Sequence, residues 1–435
     1  RSRAEYCLKR ISSCFVAVAS VSLALFGCGG GSGGSGRPPV APPPTCNGIE
    51  VGQKAGPPPQ IGGGASNLLV PATSIEHPSD IGLRAHTNHL ILASSVGARI
   101  SGPSGLSPSQ VTGAYGVPAG AGTKAIAIID AFNYPTALND FNVFSSTFGL
   151  RTEPSSNATA SANQVFQVVY ASGSQPANDG GWSQEMALDV EWAHAMAPMA
   201  KIYLVEAVSP NFSDLMNAVN VAKALPNVRQ ISMSFGGTET GCLFVDFDGR
   251  LVRNGVTFFG AAGDTAGARD YPALSENVVS VGGTSLTVTN SGSWVGETVW
   301  TGTGCGKSAF EPRPVFQDVV YPIVGLYRAS CDISAVADPN TGVSVYDSFA
   351  YQGASGWLVF GGTSASCPIV AGIANASGVS FASSQSLNTR LYSGRGGANF
   401  HDITAGSSGG FSAAPGWDFP TGVGSPNGLG GFTGH

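Results

Sequence analysis

Three short stretches of this chain gather residue types that do nucleophilic and acid–base chemistry. The first is Gly361-Gly362-Thr363-Ser364-Ala365-Ser366-Cys367-Pro368, which follows the apolar run 357–360 and precedes a small-residue segment, 369–377, that reads as a helix. A serine at a glycine-rich strand-to-helix junction is open to a ligand, and a helix N-terminus favours negative charge developing beside it. The second is the pair Glu185 and Asp189 in Trp182-Ser183-Gln184-Glu185-Met186-Ala187-Leu188-Asp189-Val190-Glu191. At this spacing the two lie one turn apart on one helix face, close enough to resist double ionisation and share a proton. Neither has a Lys or Arg partner within the helix. The third is Asp264, three residues past a buried-type strand in Phe258-Phe259-Gly260-Ala261-Ala262-Gly263-Asp264-Thr265-Ala266-Gly267. Taken alone, each has a plainer reading: a capping serine in a glycine turn, a solvated acidic face, and an Asx turn.

A serine nucleophile needs a base. The six histidines are His77, His86, His89, His194, His401 and His435, and none sits in a His-Gly-Thr-His context. His194, turned about 140° from Asp189 on the same helix, reads as an ordinary surface or boundary residue. The base is therefore sought among the carboxylates. The elements that must position these groups are apolar strand candidates at 125–129, 202–205, 230–234, 256–261 and 278–281, alternating with helix-like segments at 183–197 and 212–224. The first of those helices carries an apolar stripe of Trp182, Met186, Val190, Ala193 and Ala197. Nearly continuous apolar strands separated by helices predict an α/β fold with a mostly parallel sheet and helices on both faces. Functional residues should then follow strand ends or open helices.

Together the three stretches resemble the sedolisin family, the serine-carboxyl peptidases of subtilisin-like fold. Glu185-Met-Ala-Leu-Asp189 with the following Ala-Pro198-Met-Ala-Lys-Ile resembles the family's Glu-x-x-Leu-Asp helix and next strand. Gly263-Asp264 with Tyr271-Pro272-Ala273 and Val281-Gly282-Gly283-Thr284, and Gly362-Thr363-Ser364 with Pro368, resemble its other two segments. The resemblance implies Ser364 as nucleophile, Glu185 as general base, Asp189 as the group orienting Glu185, and Asp264 as the oxyanion stabiliser. It implies peptide hydrolysis through an acyl-enzyme at acidic pH, since a glutamate is a poised base in acid and an aspartate donates to an oxyanion only while protonated. Asp402-Ile403 and Ala414-Pro415-Gly416-Trp417-Asp418 resemble the family's calcium site. There Asp402 and Asp418 would bind one structural Ca2+ through carboxylates, and Ile403, Ala414 and Gly416 through C=O. The family has Gly where Ala414 stands, and it carries a long propeptide that blocks the site, for which residues 60–105 leave no room.

The remaining organisation follows from composition. Residues 1–28 read as an export signal: Arg1, Arg3, Lys9 and Arg10, then an uncharged run at 11–26 that is short for a membrane span. It ends in Leu25-Phe26-Gly27-Cys28, which resembles a lipobox with Cys28 acylated. A Gly/Pro-rich tether is expected at 29–59, an unassigned region at 60–105 and the peptidase-like domain at 106–435. This predicts an exported cell-envelope lipoprotein or a secreted protein, monomeric, whose only membrane contact is its lipid. The chain has 435 residues, a net charge of −6 and no basic excess, which argues against phosphate-backbone binding. Gly302-Thr303-Gly304-Cys305-Gly306-Lys307-Ser308 imitates a phosphate loop, but Thr301 stands where its first glycine is required. A Cys305–Cys331 bridge fits the loop-like sequence around both, and no zinc-type spacing exists. Substrates would be proteins or peptides. The alternatives are a surface-anchored binding or adhesion protein using an inactive peptidase fold, and a generic serine esterase, for which no independent base is visible.

Overall fold

Ala125–Ala131, with sequence Ala-Ile-Ala-Ile-Ile-Asp-Ala, is buried at every position. A strand without a solvent face belongs inside a sheet covered on both sides. This computed structural model describes residues 37–46, 67–96 and 102–433, of which residues 38 onward belong to one compact unit. The main sheet runs in the order Trp294–Val299, Val279–Val288, Thr257–Ala261, Val228–Met233, Ala125–Ala131, Lys201–Ala207, Phe166–Tyr170, and Ile333–Val336 also pairs with Val279–Val288. Every pairing is parallel except that of Trp294–Val299. Helices Gly180–Met196, Phe212–Ala224 and Thr363–Ala376 pack on it.

The helix Gly180–Met196 starts on the Asp179 side chain, which accepts the Trp182 N–H at 3.0 Å. Residues 181–196 are all buried, so the expected apolar stripe is in fact a helix enclosed all round. Its tightest neighbour is Thr363–Ala376, a helix of small residues. A Cβ on Gly372 would lie 2.6 Å from Met196 Cβ, so glycine is what permits this approach. That second helix begins at Thr363, earlier than the expected 369, and carries Pro368 inside it.

Two small sheets flank the ends of the main strands. In one, Leu90–Leu92 pairs with Ala354–Gly361, which pairs with Val343–Tyr351. In the other, Phe235–Thr238 lies between His86–Thr87 and Asp270–Tyr271. Residues 86–92, from the region left unassigned by sequence, therefore cross from one small sheet to the other.

The amino-terminal expectations change where they can be compared. Residues 38–46 do not hang free as a tether: the Ala41 N–H donates to the Leu326 carbonyl at 3.1 Å, Arg313 Nη2 donates to the Pro38 carbonyl at 3.1 Å, and Cys46 is bonded to Cys242. The export signal at 1–28, with Cys28, and the tether residues 29–36 and 47–59 lie outside the described residues. Cys305 and Cys331 are buried free thiols rather than a bridge. Closing a loop between residues 196 apart restrains the unfolded chain strongly. Cys242→Ser is therefore expected to lower unfolding stability by about 2–4 kcal/mol and to open residues 38–46 to proteolysis, both read by denaturant titration and limited digestion.

Candidate active site

Strand Ala354–Gly361 leads through Gly362 into helix Thr363–Ala376, so Ser364 is the second residue of that helix. Gly362 has φ +98°, and a Cβ there would run into the Asn88 carbonyl oxygen and Asp264 Oδ2. Only glycine fits that turn. Ser364 is fully buried; its hydroxyl donates to the Ser234 carbonyl at 3.0 Å, and its backbone N–H donates to the Asn88 carbonyl at 2.9 Å.

The carboxyls converge from three elements. Glu185 and Asp189 project from helix Gly180–Met196 with zero exposure, which overturns the solvated-face reading. Ser234, just past strand Val228–Met233, donates its hydroxyl to Asp189 Oδ1 at 2.8 Å. Asp264 follows strand Thr257–Ala261; its Oδ1 accepts the Thr363 N–H at 2.7 Å and the Thr363 hydroxyl at 2.8 Å. Its Oδ2 is buried with no partner among the described residues. Ser364, Glu185, Asp189 and Asp264 are thus brought together at the carboxyl ends of the strands, where an open parallel sheet leaves its crevice.

Burial dominates the electrostatics. It pushes Glu185 up to about 8, against the pull of the Ser364 hydrogen bond. Asp264 rises to about 8 by burial, the Thr363 hydrogen bonds opposing it. Asp189 is raised by burial and then by the charge of Glu185. Asp130, at the end of Ala125–Ala131, is raised by burial and by the neighbouring Asp189, Glu185 and Glu206. A carboxyl kept protonated in a dry site is a hydrogen-bond donor, and one sharing its proton is an acid–base group. The arrangement can therefore activate a hydroxyl and hold an oxyanion.

Four site residues escaped the sequence reading. Ser234 joins Ser364 to Asp189; its only signal was the Gly236-Gly237 pair behind it. Asn88 and His89 enter from the unassigned region, with His89 Nδ1 2.5 Å from Glu185 Oε2 and His89 stacked on Phe360. Gln184 Oε1 lies 3.5 Å from His89 Nε2. No motif surrounds His89, so nothing local marked it. His194, expected near the surface, is buried against Phe141 and holds the Arg151 carbonyl at 2.8 Å.

The proposed metal loop is separate. Asp402 accepts the Gly416 N–H at 3.0 Å through both oxygens, and Asp418 Oδ2 accepts the Ala414 N–H at 3.0 Å. Asp418 rises to about 6 through burial, the charge of Asp402 adding to it against several hydrogen bonds. Among the described residues there is no cluster of three or more His, Cys, Asp or Glu side chains that could hold a metal. A donor set of two facing carboxylates and the carbonyls of Ile403, Ala414 and Gly416 is all oxygen, however, which fits a hard cation.

The subtilase family model matches residues 171–377. Kumamolisin of Bacillus sp. (strain MN-32) is 32% identical over 320 residues, covering 62% of this chain and 54% of that protein. Sedolisin of Pseudomonas sp. (strain 101) is 29% identical over 363 residues, covering 70% and 59%. The chain thus spans a little over half the length of these two relatives. The structure of Pseudomonas sedolisin, a serine-carboxyl proteinase complexed with two molecules of pseudo-iodotyrostatin, matches with a TM-score of 0.60 at 25% identity, covering 75% of this chain and 96% of that one. The fold is subtilisin-like α/β.

The raised carboxyls carry a stability consequence. Glu206 and Asp347 also rise to about 8, mainly through burial. A carboxyl raised on folding stabilises fully below its unfolded value near 4 and loses that contribution as pH climbs through its folded value. Unfolding free energy, measured on Ser364→Ala protein to prevent self-digestion, should fall by an amount on the order of several kcal/mol between about pH 4 and about pH 8. A maximum at neutral pH would contradict these assignments.

Proposed function

We propose that this chain, which belongs to the sedolisin family, is a serine-carboxyl peptidase that hydrolyses peptide bonds in acid. The observation that carries the reading is the convergence on Ser364 of three carboxyls at the carboxyl ends of the strands, Glu185 and Asp189 fully buried with it and Asp264 half-buried. In the proposed mechanism Glu185 takes the Ser364 proton as Oγ attacks the substrate carbonyl, and Asp189, held by the Ser234 hydroxyl one helical turn away, orients Glu185. The Ser364 N–H and protonated Asp264 hold the oxyanion. Glu185 then passes its proton to the leaving amine, and water releases the acyl group from Ser364.

Acid suits the donor role, since burial keeps Asp264 protonated; Glu185, also raised by burial, serves as base in the molecules whose carboxyl cluster has given up one proton. The Ser364 hydroxyl, now turned to the Ser234 carbonyl, needs only to turn to Glu185. The same proposal places one Ca2+ on Asp402, Asp418 and the carbonyls of Ile403, Ala414 and Gly416, where it would screen two facing carboxylates and tie their loop down. Export, with lipid attachment at Cys28, completes the reading on sequence grounds.

Cleavage of denatured casein at about pH 3–5 should be present in wild type and reduced by roughly 10³-fold or more in Ser364→Ala, the scale on which a nucleophile contributes. A rate profile peaking above about pH 7 would contradict a peptidase that works in acid. Excess chelator should lower the melting temperature; an unchanged melting curve would remove the cation from the proposal.

A further inference from the structure

The surface segment 314–327 is apolar on the side that should face water. It is built of two short helical pieces, Val315–Val320 and Tyr321–Val324. Their inner side is buried through Phe316, Val320 and Val324. The Gln317 amide, buried with them, donates to the Ala329 carbonyl and to the Tyr392 hydroxyl oxygen, both at 2.7 Å. The outward positions of the same turns are Val315, Val319, Pro322 and Ile323, all exposed, and exposed Leu326 follows them. Val315 is 68% exposed, Val319 50% and Ile323 47%. A surface helix ordinarily turns polar residues outward, and one that is apolar all round belongs under a cover. The one charged residue of the segment, Asp318, is half-buried and paired with Arg313 Nε at 2.8 Å.

A second segment widens this face. Residues 38–44, Pro-Pro-Val-Ala-Pro-Pro-Pro, carry no charge. Two hydrogen bonds lay them alongside: the Ala41 N–H donates to the Leu326 carbonyl and Arg313 Nη2 to the Pro38 carbonyl, both at 3.1 Å. Pro39, Val40, Pro42 and Pro43 are exposed. Of the thirteen large hydrophobic side chains exposed among the described residues, five come from these two segments: Val40, Val315, Val319, Ile323 and Leu326. Exposed hydrophobics scattered singly need no explanation, but a group gathered on one face marks a docking surface. Half-buried Tyr321 and Tyr327 belong to the same stretch, and tyrosine suits the boundary between an apolar phase and water.

The covalent path of the chain points to what covers the face. Pro38 comes ten residues after Cys28, and residues 29–36 are glycine and serine only. Eight residues span at most about 28 Å, however they are arranged. An acyl chain on Cys28 therefore keeps segment 38–44 within short reach of the bilayer that holds it. We propose that the face formed by Val40, Val315, Val319, Ile323 and Leu326 rests on a lipid bilayer, as a second membrane contact beside the lipid. The proposal rests on the acylation of Cys28 in the proposed function. A single lipid chain holds a protein weakly, and stable attachment takes a second signal. Across so short a link the second contact forms at high effective concentration, so a shallow apolar face is enough to supply it. The peptidase domain then lies against the membrane instead of swinging at the end of a tether, and its crevice keeps one height and one orientation above the lipid.

The test uses the full chain purified from membranes, carrying Ser364→Ala against self-digestion, on vesicles of phosphatidylethanolamine and phosphatidylglycerol. An environment-sensitive fluorophore is attached through Val319→Cys, or through Met199→Cys at a second exposed position as the control. Cys305, Cys331 and Cys367 are buried and Cys46 is bonded to Cys242, and any label taken up without the new cysteine is subtracted. At position 319 the emission should shift to the blue on vesicles and be quenched by nitroxide-bearing lipid; at position 199 it should do neither. A label at Val40→Cys should also shift, and Ile323→Asp in the same chain should return it to water-like emission with the melting temperature unchanged. Water-like emission at position 319, or an equal shift at position 199, in vesicle-bound protein whose Cys28 is acylated by mass spectrometry overturns the docking and leaves the proposed function standing. A blue shift that appears without vesicles and grows with protein concentration assigns the face to a second copy of the chain and also overturns it. An unmodified Cys28 overturns the lipid attachment and the docking together, while casein cleavage by wild type is read separately and decides the peptidase reading.

Discussion

Several carboxyl groups share one dry space at the carboxyl ends of a parallel sheet, and they cannot all be ionised there. Glu185, Asp189 and Asp130 have no contact with solvent, Asp264 is half-buried with its Oδ2 enclosed, and no lysine or arginine ion pair offsets them among the described residues. In such a place protonation is the inexpensive outcome, because removing a carboxylate from water costs several kcal/mol. The chemistry proposed here follows from that. A carboxyl forced to keep its proton can donate to an oxyanion, and a neighbour in the same cluster can accept one from a hydroxyl. In a histidine-based hydrolase the base works unprotonated near neutrality; here burial raises the carboxyls, so that Asp264 keeps the proton a donor needs.

Ser234 is the hinge of the arrangement. Its carbonyl accepts from Ser364 and from Asn88, and its hydroxyl donates to Asp189. One residue just past a central strand thereby fixes Ser364, Asp189 and Asn88 relative to each other. The approach of helix Gly180–Met196 to helix Thr363–Ala376 at Gly372 sets the other dimension of the site, because Glu185 and Ser364 belong to those two helices. Packing and chemistry are therefore coupled: a larger residue at the contact would displace the base from the nucleophile.

Residues 86–92 give the two small sheets their common strand partner. They pair with the edges of Phe235–Thr238 and Ala354–Gly361, and a sheet edge is a ready template for an extended segment. A crevice built from two such edges suits peptide substrates whose side chains vary, because the backbone supplies most of the contacts.

Much of this was legible in the sequence for local reasons. Strands buried on both faces announce themselves as unbroken apolar runs, so the central strands and the helix Phe212–Ala224 were visible with boundaries close to those observed. The spacing of Glu185 and Asp189, the glycines before Ser364 and the loop position of Asp264 are likewise local, and a family resemblance tied them together. Burial was not legible: an i, i+4 acidic pair reads the same on a wet face as in a core, and only the neighbouring helix and sheet decided that this pair is dry. The partners of Cys46 and His89 lie 196 and 96 residues away, distances over which no periodicity operates. The sequence by itself determined which groups could react. Tertiary structure alone decided that they share one crevice, and that the chain's own residues 86–92 run across it.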